Sequence, residues 1–393
     1  MRVCIAARFV GGVGVYSRTL VRALAETVPD LRLEVVTPDP VAAKPNYIGC
    51  AALHLIRHTA ALPTHPGWIV QAAAFRLALR PLLGRIDLVH FPSDARHALF
   101  ALGLPVPVVA TMNDYFNAVL DWRPGSTRRY YHDWPARYPL YQLARLGERR
   151  ALRRLSHIIG ISDAVGQIVG PAYGIPPDRF TTVRYGIDFP VIPPNDGAIR
   201  SPRTVLFVGG NFQRKGLLVL LRAAPAVLAR FPDTRFLIIG KSSYARECQR
   251  FAQSLGVGAA CDFLGGVEYG RLLRYYASAT VLAMPSLMEA FGIPYLEAMS
   301  CGLPAVATSC AGPDEYLADG ENALVVPPGD ADALADALVR LLGDVALRER
   351  LRRGGRETAR AFTPARMAQE TLAVYARVLS GASCLADVGG GVG

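Results

Sequence analysis

Two hydrophobic patterns alternate along the chain. Short runs of β-branched and other apolar residues are followed by longer stretches in which apolar residues return every three or four positions. The first pattern suits strands covered on both faces, the second suits helices with one face on a core. Strand-like runs in the first half are Arg2–Ala6, Leu33–Thr37, Leu88–Phe91, Val106–Thr111 and His157–Ile161. In the second half they are Thr204–Val208, Arg235–Ile239, Cys261–Phe263, Val281–Met284, Ala305–Ala307 and Ala323–Val326. Helical periodicity covers Gly14–Thr27, Lys215–Arg230, Tyr244–Leu255 and Asp332–Leu342. Strand–helix–strand order predicts an α/β fold with parallel sheets. The stretch Tyr185–Arg203, with Pro190, Pro193, Pro194 and Pro202, interrupts the pattern and reads as a linker, and a fresh strand follows it. The expectation is two Rossmann-like domains facing each other across a cleft: an N-terminal domain over 1–190, a linker over 191–203 and a C-terminal domain over 204–362. A helix over 363–380, placed to pack back on the first domain, and a flexible Gly/Ala/Ser-rich tail over 381–393 complete the chain.

Composition supports this picture. The chain has 393 residues, 51% of them hydrophobic and 19% charged, which suffices for two cores and excludes a disordered or disulfide-dense chain. The longest apolar candidate for a membrane span, Ala98–Met112, is broken by Pro105 and Pro107. The opening segment reaches Arg8 too soon for a signal peptide and reads as a buried strand. Seven cysteines without zinc-site spacing fit small hydrophobes in a reducing, cytoplasmic setting. Charge changes the picture more. Residues 1–200 hold 23 Lys+Arg against 14 Asp+Glu, whereas the rest hold 20 against 18, so the first half is the part suited to an acidic partner. Nucleic acid, an anionic membrane surface and phosphorylated small molecules all qualify on charge alone.

The most informative segment is Pro285-Ser-Leu-Met-Glu289-Ala-Phe-Gly292-Ile-Pro294-Tyr-Leu-Glu297-Ala-Met-Ser-Cys-Gly302-Leu-Pro304. It follows a strand and opens a helix. Pro294 suits the first helical turn and Gly302 the position just past the end. Glu289 then falls in the loop and Glu297 in the helix, near an N-terminus whose N–H groups favour phosphate. Two carboxylates beside a phosphate site suit a phosphate that carries many hydroxyls, as in a sugar joined to a nucleotide.

In these residues the chain resembles glycosyltransferase family 4, retaining enzymes of the GT-B fold that use nucleotide sugars. The matching features are the Glu, seven residues, Glu spacing of Glu289 and Glu297, Phe291-Gly292 and Glu297-Ala-Met299. Gly302-Leu-Pro304, Ala311-Gly-Pro-Asp-Glu315, Asp319-Gly-Glu-Asn322 and Val326-Pro-Pro-Gly-Asp330 follow in order. The resemblance implies that Glu289 bonds hydroxyls of the transferred sugar, that Ala290, Phe291 and Gly292 line it with backbone amides, and that Glu297 accepts from the ribose. It implies a nucleotide-diphosphate sugar as donor substrate, with no metal and no other cofactor.

A second match, Val208-Gly-Gly-Asn-Phe-Gln-Arg214-Lys215-Gly216, sits between a strand and a helix. Cations there can hold a diphosphate and stabilise the charge that grows as the sugar leaves. Lys215 is one of only three lysines in the chain, so it is not one of a crowd. The family usually places an arginine directly after the first glycine of this loop, where this chain has Gly210; Arg214 is the candidate replacement. In the first half, Gly11-Gly12-Val-Gly14 follows the opening strand, and Gly12 and Gly14 are candidate donor contacts. As a dinucleotide fingerprint the run is poor, because Ser17 stands where a glycine belongs and Asp39 lies between two prolines. Relatives often carry His-Asp after the strand Val106–Thr111, whereas this chain has Asn113-Asp114. Asparagine donates a hydrogen bond but exchanges no proton, so either the histidine's role is dispensable, or Asp114, His90 or His97 takes it over, or activity is altered.

The stretch Leu140–Leu155 places Arg145, Arg149 and Arg153 at four-residue spacing beside Leu143, Leu146, Leu152 and Leu155. It reads either as a solvated helix or as a basic amphipathic face for anionic lipid. The combined expectation is a cytoplasmic hexosyltransferase, peripheral at the membrane, that makes a cell-surface polysaccharide or glycolipid from a saccharide or lipid-linked acceptor. Two alternatives stay open: a nucleotide-sugar epimerase of the same fold, and a non-catalytic relative that binds the donor. Nucleic acid is disfavoured because the cations lack an interleaved aromatic platform.

Overall fold

Strands such as Thr204–Val208 are buried at every position, and apolar at all but the first, because both faces of the strand are covered. The structure, a computed structural model, describes residues 1–9, 11–39, 52–56, 64–93, 95–119, 134–188 and 203–389. They form two units. The first draws on Met1–Trp122, Arg137–Gly186 and Phe362–Gly393, and the second contains Ile187–Ala361.

In the first unit the elements run β1 (Arg2–Ala6), α1 (Gly11–Thr27), β2 (Arg32–Thr37), β3 (Ala52–Leu55), α2 (Thr64–Leu79), β4 (Leu88–Phe91), β5 (Val108–Met112), α3 (Phe116–Val119), α4 (Trp134–Leu152), β6 (His157–Gly160), α5 (Asp163–Tyr173) and β7 (Phe180–Thr182). A 3-10 helix over Ala95–Ala101 joins β4 to β5. All neighbouring strands pair in parallel in the order β3-β2-β1-β4-β5-β6-β7. Strand β3 and strand β7 lie outside the sequence expectation, and both are sheet edges. Only one side of such a strand is paired and none of their residues is fully buried, so no continuous apolar run marks them.

The second unit runs β8 (Thr204–Val208), α6 (Leu217–Arg230), β9 (Arg235–Ile239), α7 (Ala245–Ser254), β10 (Cys261–Gly265), α8 (Tyr269–Ser278), β11 (Val281–Met284), α9 (Ile293–Ser300), β12 (Ala305–Thr308), β13 (Leu324–Val326), α10 (Ala331–Gly343) and α11 (Val345–Arg360). The parallel strand order is β10-β9-β8-β11-β12-β13. Its core closes when the apolar faces of α6 and α10, through Leu217, Leu220, Leu338 and Leu341, cover Val205, Phe207, Val281 and Ala283. The chain reverses its direction of strand addition between β8 and β11. At such a switch point the connecting helices depart to opposite faces and leave a crevice beyond the strand ends.

The last helix, α12 (Pro364–Gly389), belongs to the first unit and packs on α1. Met367, Ala368, Thr371, Val374 and Tyr375 are its buried face. It extends past Ser380, where the sequence reading ended the helix and began a tail. Tyr185, with which the proline-rich stretch of the sequence opens, belongs to the first unit. Tyr185 is buried, with its ring 5.6 Å from that of Tyr16 and its hydroxyl 3.3 Å from Thr19 Oγ1. Residues 189–202, with Pro190, Pro193, Pro194 and Pro202, lie outside the described residues. Among the described residues no helix is long and apolar enough to cross a membrane.

Candidate active site

Two loops of the second unit leave adjacent strands. One runs from β8 to α6 and carries Arg214 and Lys215; the other runs from β11 to α9 and carries Glu289, Ala290, Phe291 and Gly292. Because β8 and β11 pair directly, both loops emerge at the switch point of the sheet. The first loop is cross-tied to the second. Asn211 Oδ1 accepts from the Arg214 amide at 3.1 Å, a local turn that tightens the loop. The Leu287 amide donates to the Arg214 carbonyl at 2.8 Å, and Arg214 Nη1 donates to the Met288 carbonyl at 2.9 Å. Gly216 adopts a left-handed φ of +77°, and a Cβ there would lie 1.7 Å from the Pro285 carbonyl oxygen. Only glycine permits that approach.

The consequence is a salt bridge between Lys215 Nζ and Glu289 Oε2, with both residues under 9% exposed. Burial pushes the Glu289 carboxyl up, but Lys215, Arg214 and the Ala290 amide outweigh it and hold the group below its ordinary range. Glu289 is therefore ionised at neutral pH. The Lys215 ammonium is pulled below its ordinary value by burial, with Glu289 opposing that shift and Arg214 adding to it.

The Ala290 and Phe291 side chains are buried in the unit's core, so what these residues can present to a ligand is backbone. The Ala290 amide hydrogen-bonds the Glu289 carboxylate. The loop is braced from behind. Tyr316 donates to the carbonyls of Phe291 at 2.6 Å and Gly292 at 3.1 Å, and Gly312 lies so close that a Cβ would be 2.0 Å from the Ala290 carbonyl oxygen. Gly292 precedes α9 with φ +84°, Pro294 sits in its first turn, and Gly302 with φ +73° ends it, as the sequence pattern requires. Glu297 lies in α9, half-buried, and its Oε2 accepts from the Tyr276 hydroxyl at 3.0 Å. Sequence reasoning missed Tyr276 and Tyr316, because neither shows a motif and each acts through another residue.

In the first unit, Gly11 to Gly14 form the first turn of α1 rather than the expected loop before it. A Cβ on Gly14 would lie 2.3 Å from the Phe9 carbonyl carbon, so the glycine allows the chain to double back tightly. Gly12 falls in the same turn. The approach is fixed by Asp39, whose carboxylate accepts from Arg8 Nε at 3.1 Å and from the Phe9 amide at 2.6 Å. Asp39 thus anchors this loop. Asn113 follows β5 and donates from Nδ2 to the Pro92 carbonyl at 2.8 Å, tying the β4 and β5 loops together. Asp114 Oδ1 accepts from the Phe116 amide at 3.2 Å.

The idea that His90 or His97 replaces the usual histidine is corrected. His90 is fully buried between Tyr375 and Thr111, at 2.6 Å and 2.8 Å, and burial lowers its pKa to about 3. His97 is buried against Gln71 at 3.1 Å. Both rings are buried within the first unit.

Comparison with known proteins agrees with this arrangement. The description "Glycosyltransferase Family 4" matches residues 10–189, and "Glycosyl transferases group 1" matches residues 190–358. A phosphatidyl-myo-inositol mannosyltransferase of Mycolicibacterium smegmatis is 31% identical over 78% of this chain and 75% of its own length. One from Mycobacterium leprae is 39% identical over 48% of this chain and 50% of its own length, so the chain spans about half of that relative. Among solved structures, the sucrose-phosphate synthase of Thermosynechococcus elongatus superposes with a TM-score of 0.75 at 21% identity, covering 97% of this chain and 100% of that one. The fold is the GT-B class of two Rossmann-like units. The chain belongs to glycosyltransferase family 4.

Proposed function

We propose that this protein transfers a hexosyl group, with retention of anomeric configuration, from a nucleotide-diphosphate sugar to a saccharide or lipid-linked acceptor, as a step of cell-surface polysaccharide or glycolipid synthesis. The observation that carries this reading is the buried Lys215–Glu289 pair on adjacent loops of one switch point, with Arg214 beside it and Glu297 one helix turn further. In this reading Lys215 and Arg214 hold the diphosphate, Glu289 accepts from hydroxyls of the sugar, and Glu297 accepts from the ribose. As the bond from the anomeric carbon to the diphosphate breaks, the departing phosphate oxygen takes the proton of the acceptor hydroxyl. That hydroxyl oxygen bonds to the same carbon on the same face. Fixed cations aimed at the growing negative charge are worth several kcal/mol in a closed site. They also do the work a divalent ion would otherwise do, so no metal is required.

The excess cations of the first 200 residues suit a cytoplasmic acceptor with an anionic headgroup, and the mannosyl transfer in the names of the relatives, one of them a GDP-mannose-dependent mannosyltransferase of Mycolicibacterium smegmatis, favours GDP-mannose as donor. Gly12 and Gly14 are the donor-side candidates of the first unit, and Asn113 and Asp114 the acceptor-side or active-site candidates. The test is a thermal-shift screen with UDP-, GDP- and ADP-sugars, followed by turnover with EDTA present and by NMR of the product anomer. The expected outcome is stabilisation by one nucleotide class, undiminished turnover in EDTA and an α-linked product from an α-linked donor. Stabilisation by none of them, or an inverted product, overturns the reading.

A further inference from the structure

Tyr276 lies at the C-terminal half of α8 and is completely buried. A buried phenol needs a hydrogen-bond partner, and this one finds the carboxylate of Glu297 in the neighbouring helix at 3.0 Å. Burial and the adjacent carboxylate push its pKa well above the ordinary value, so the hydroxyl keeps its proton and donates it to the carboxylate. Glu297 is half-buried, on a helix whose start is fixed by Gly292 and whose end is fixed by Gly302. Its backbone is therefore rigid, while its side chain has three rotatable bonds. The Tyr276 hydrogen bond narrows the orientations the carboxylate samples, and with them the entropy a ligand bears in selecting one.

We infer that Tyr276 is a positioning residue that fixes the Glu297 carboxylate for the vicinal hydroxyls of a nucleotide ribose, and so sets the preference for ribonucleotides over deoxyribonucleotides. This rests on the assignment of Glu297 to the ribose in the proposed function. A hydrogen bond from a neutral buried donor to a charged acceptor orients one oxygen of the carboxylate, and with it the plane of the other. Tyr276 itself, with no exposed surface, acts on the ligand only through Glu297.

The test measures binding of GDP and UDP, and of their 2′-deoxy and 3′-deoxy forms, to the full chain by calorimetry, together with donor KM and kcat. The wild type is expected to prefer the ribonucleotide of its own base. Tyr276→Phe is expected to melt as a folded protein, to bind that ribonucleotide about ten-fold more weakly, equivalent to about 1.4 kcal/mol, and to bind the deoxy forms as the wild type does. Donor KM should rise with kcat nearly unchanged. In a Glu297→Ala background the same substitution should cost nothing further. A purely packing role would instead lower the melting temperature and leave the ribose-to-deoxyribose ratio intact, and an intact ratio in Tyr276→Phe overturns the proposal. A wild type that does not distinguish ribose from deoxyribose removes the ribose assignment of Glu297 first, and the two failures are thus separable. Should Tyr276→Phe not fold, 3-fluorotyrosine placed at position 276 keeps the shape and strengthens the donor; an unchanged ratio there is equally fatal.

Discussion

At the scale of single residues, the site turns on an ion pair that the fold closes over. Removing two charges from water costs several kcal/mol per ion, and their attraction repays this only when both are present. Glu289→Gln is therefore expected to have two separate effects. Turnover falls by about 100-fold or more, because a neutral amide cannot replace an ionised acceptor in the reacting complex. Stability also falls, by up to about 3–5 kcal/mol, because Lys215 loses its counter-charge. The double variant Glu289→Gln/Lys215→Met should recover much of the melting temperature and none of the turnover. Recovery of both, or wild-type turnover in Glu289→Gln, contradicts the assignment. Lys215 and Glu289 were legible in the sequence because each sits in a local strand–loop–helix pattern whose glycines and proline mark its geometry. His90 was not. Its partner Tyr375 lies 285 positions away, and no local pattern distinguishes a buried histidine from a reactive one.

At the scale of elements, what was legible follows burial. Strands in sheet centres announce themselves as apolar runs, and their observed ends differ from the expected ones by no more than two residues. The edge strands β3 and β7 carry no such signal. Helix α4 shows the other limit of periodicity. The four leucines assigned to one apolar side divide: Leu152 and Leu155 are buried, while Leu143 and Leu146 are 46% and 62% exposed. The two exposed leucines stand beside exposed Arg149 and Arg150, a pairing suited to the headgroup region of anionic lipid. Leu143→Glu/Leu146→Glu should weaken co-sedimentation with vesicles containing anionic lipid, leave the melting temperature within about a degree and spare turnover on a water-soluble acceptor. Leu152→Glu places a charge in the core and should unfold the first unit. If the double variant sediments as the wild type does, α4 is a solvated helix and the membrane reading of its face fails.

At the scale of the whole molecule, the chain's ends matter as much as its middle. The return of α12 makes the first unit discontinuous in sequence, and the buried run Tyr375–His90–Thr111, with Tyr16 Oη 3.4 Å from Thr111, ties α12 to β4, β5 and α1. That arrangement predicts how acid should act on the two units. His54, His90, His97 and His157, the histidines whose side chains are described, all lie in the first unit. Burial depresses His90 to about 3, and burial with the nearby Arg377 and Arg179 depresses His157 to about 4. An unfolded histidine titrates near 6.5, so between that pH and the folded values the unfolded state binds more protons than the native state. Stability of the first unit is then complete above about pH 6.5 and declines as pH falls toward 4, by on the order of 1–2 kcal/mol per histidine at pH 5. In the second unit the corresponding group is Glu289, whose contribution is lost only below the ordinary carboxylate range. Hydrogen exchange at pH 7.5 and pH 5.0 should therefore show protection falling first in β4, β5, β6 and α12, with β8 and β11 unchanged. His90→Asn should flatten the slope in the first unit alone. An equal loss of protection in both units at pH 5.0 would mean that the buried histidines do not set the acid limit of this fold.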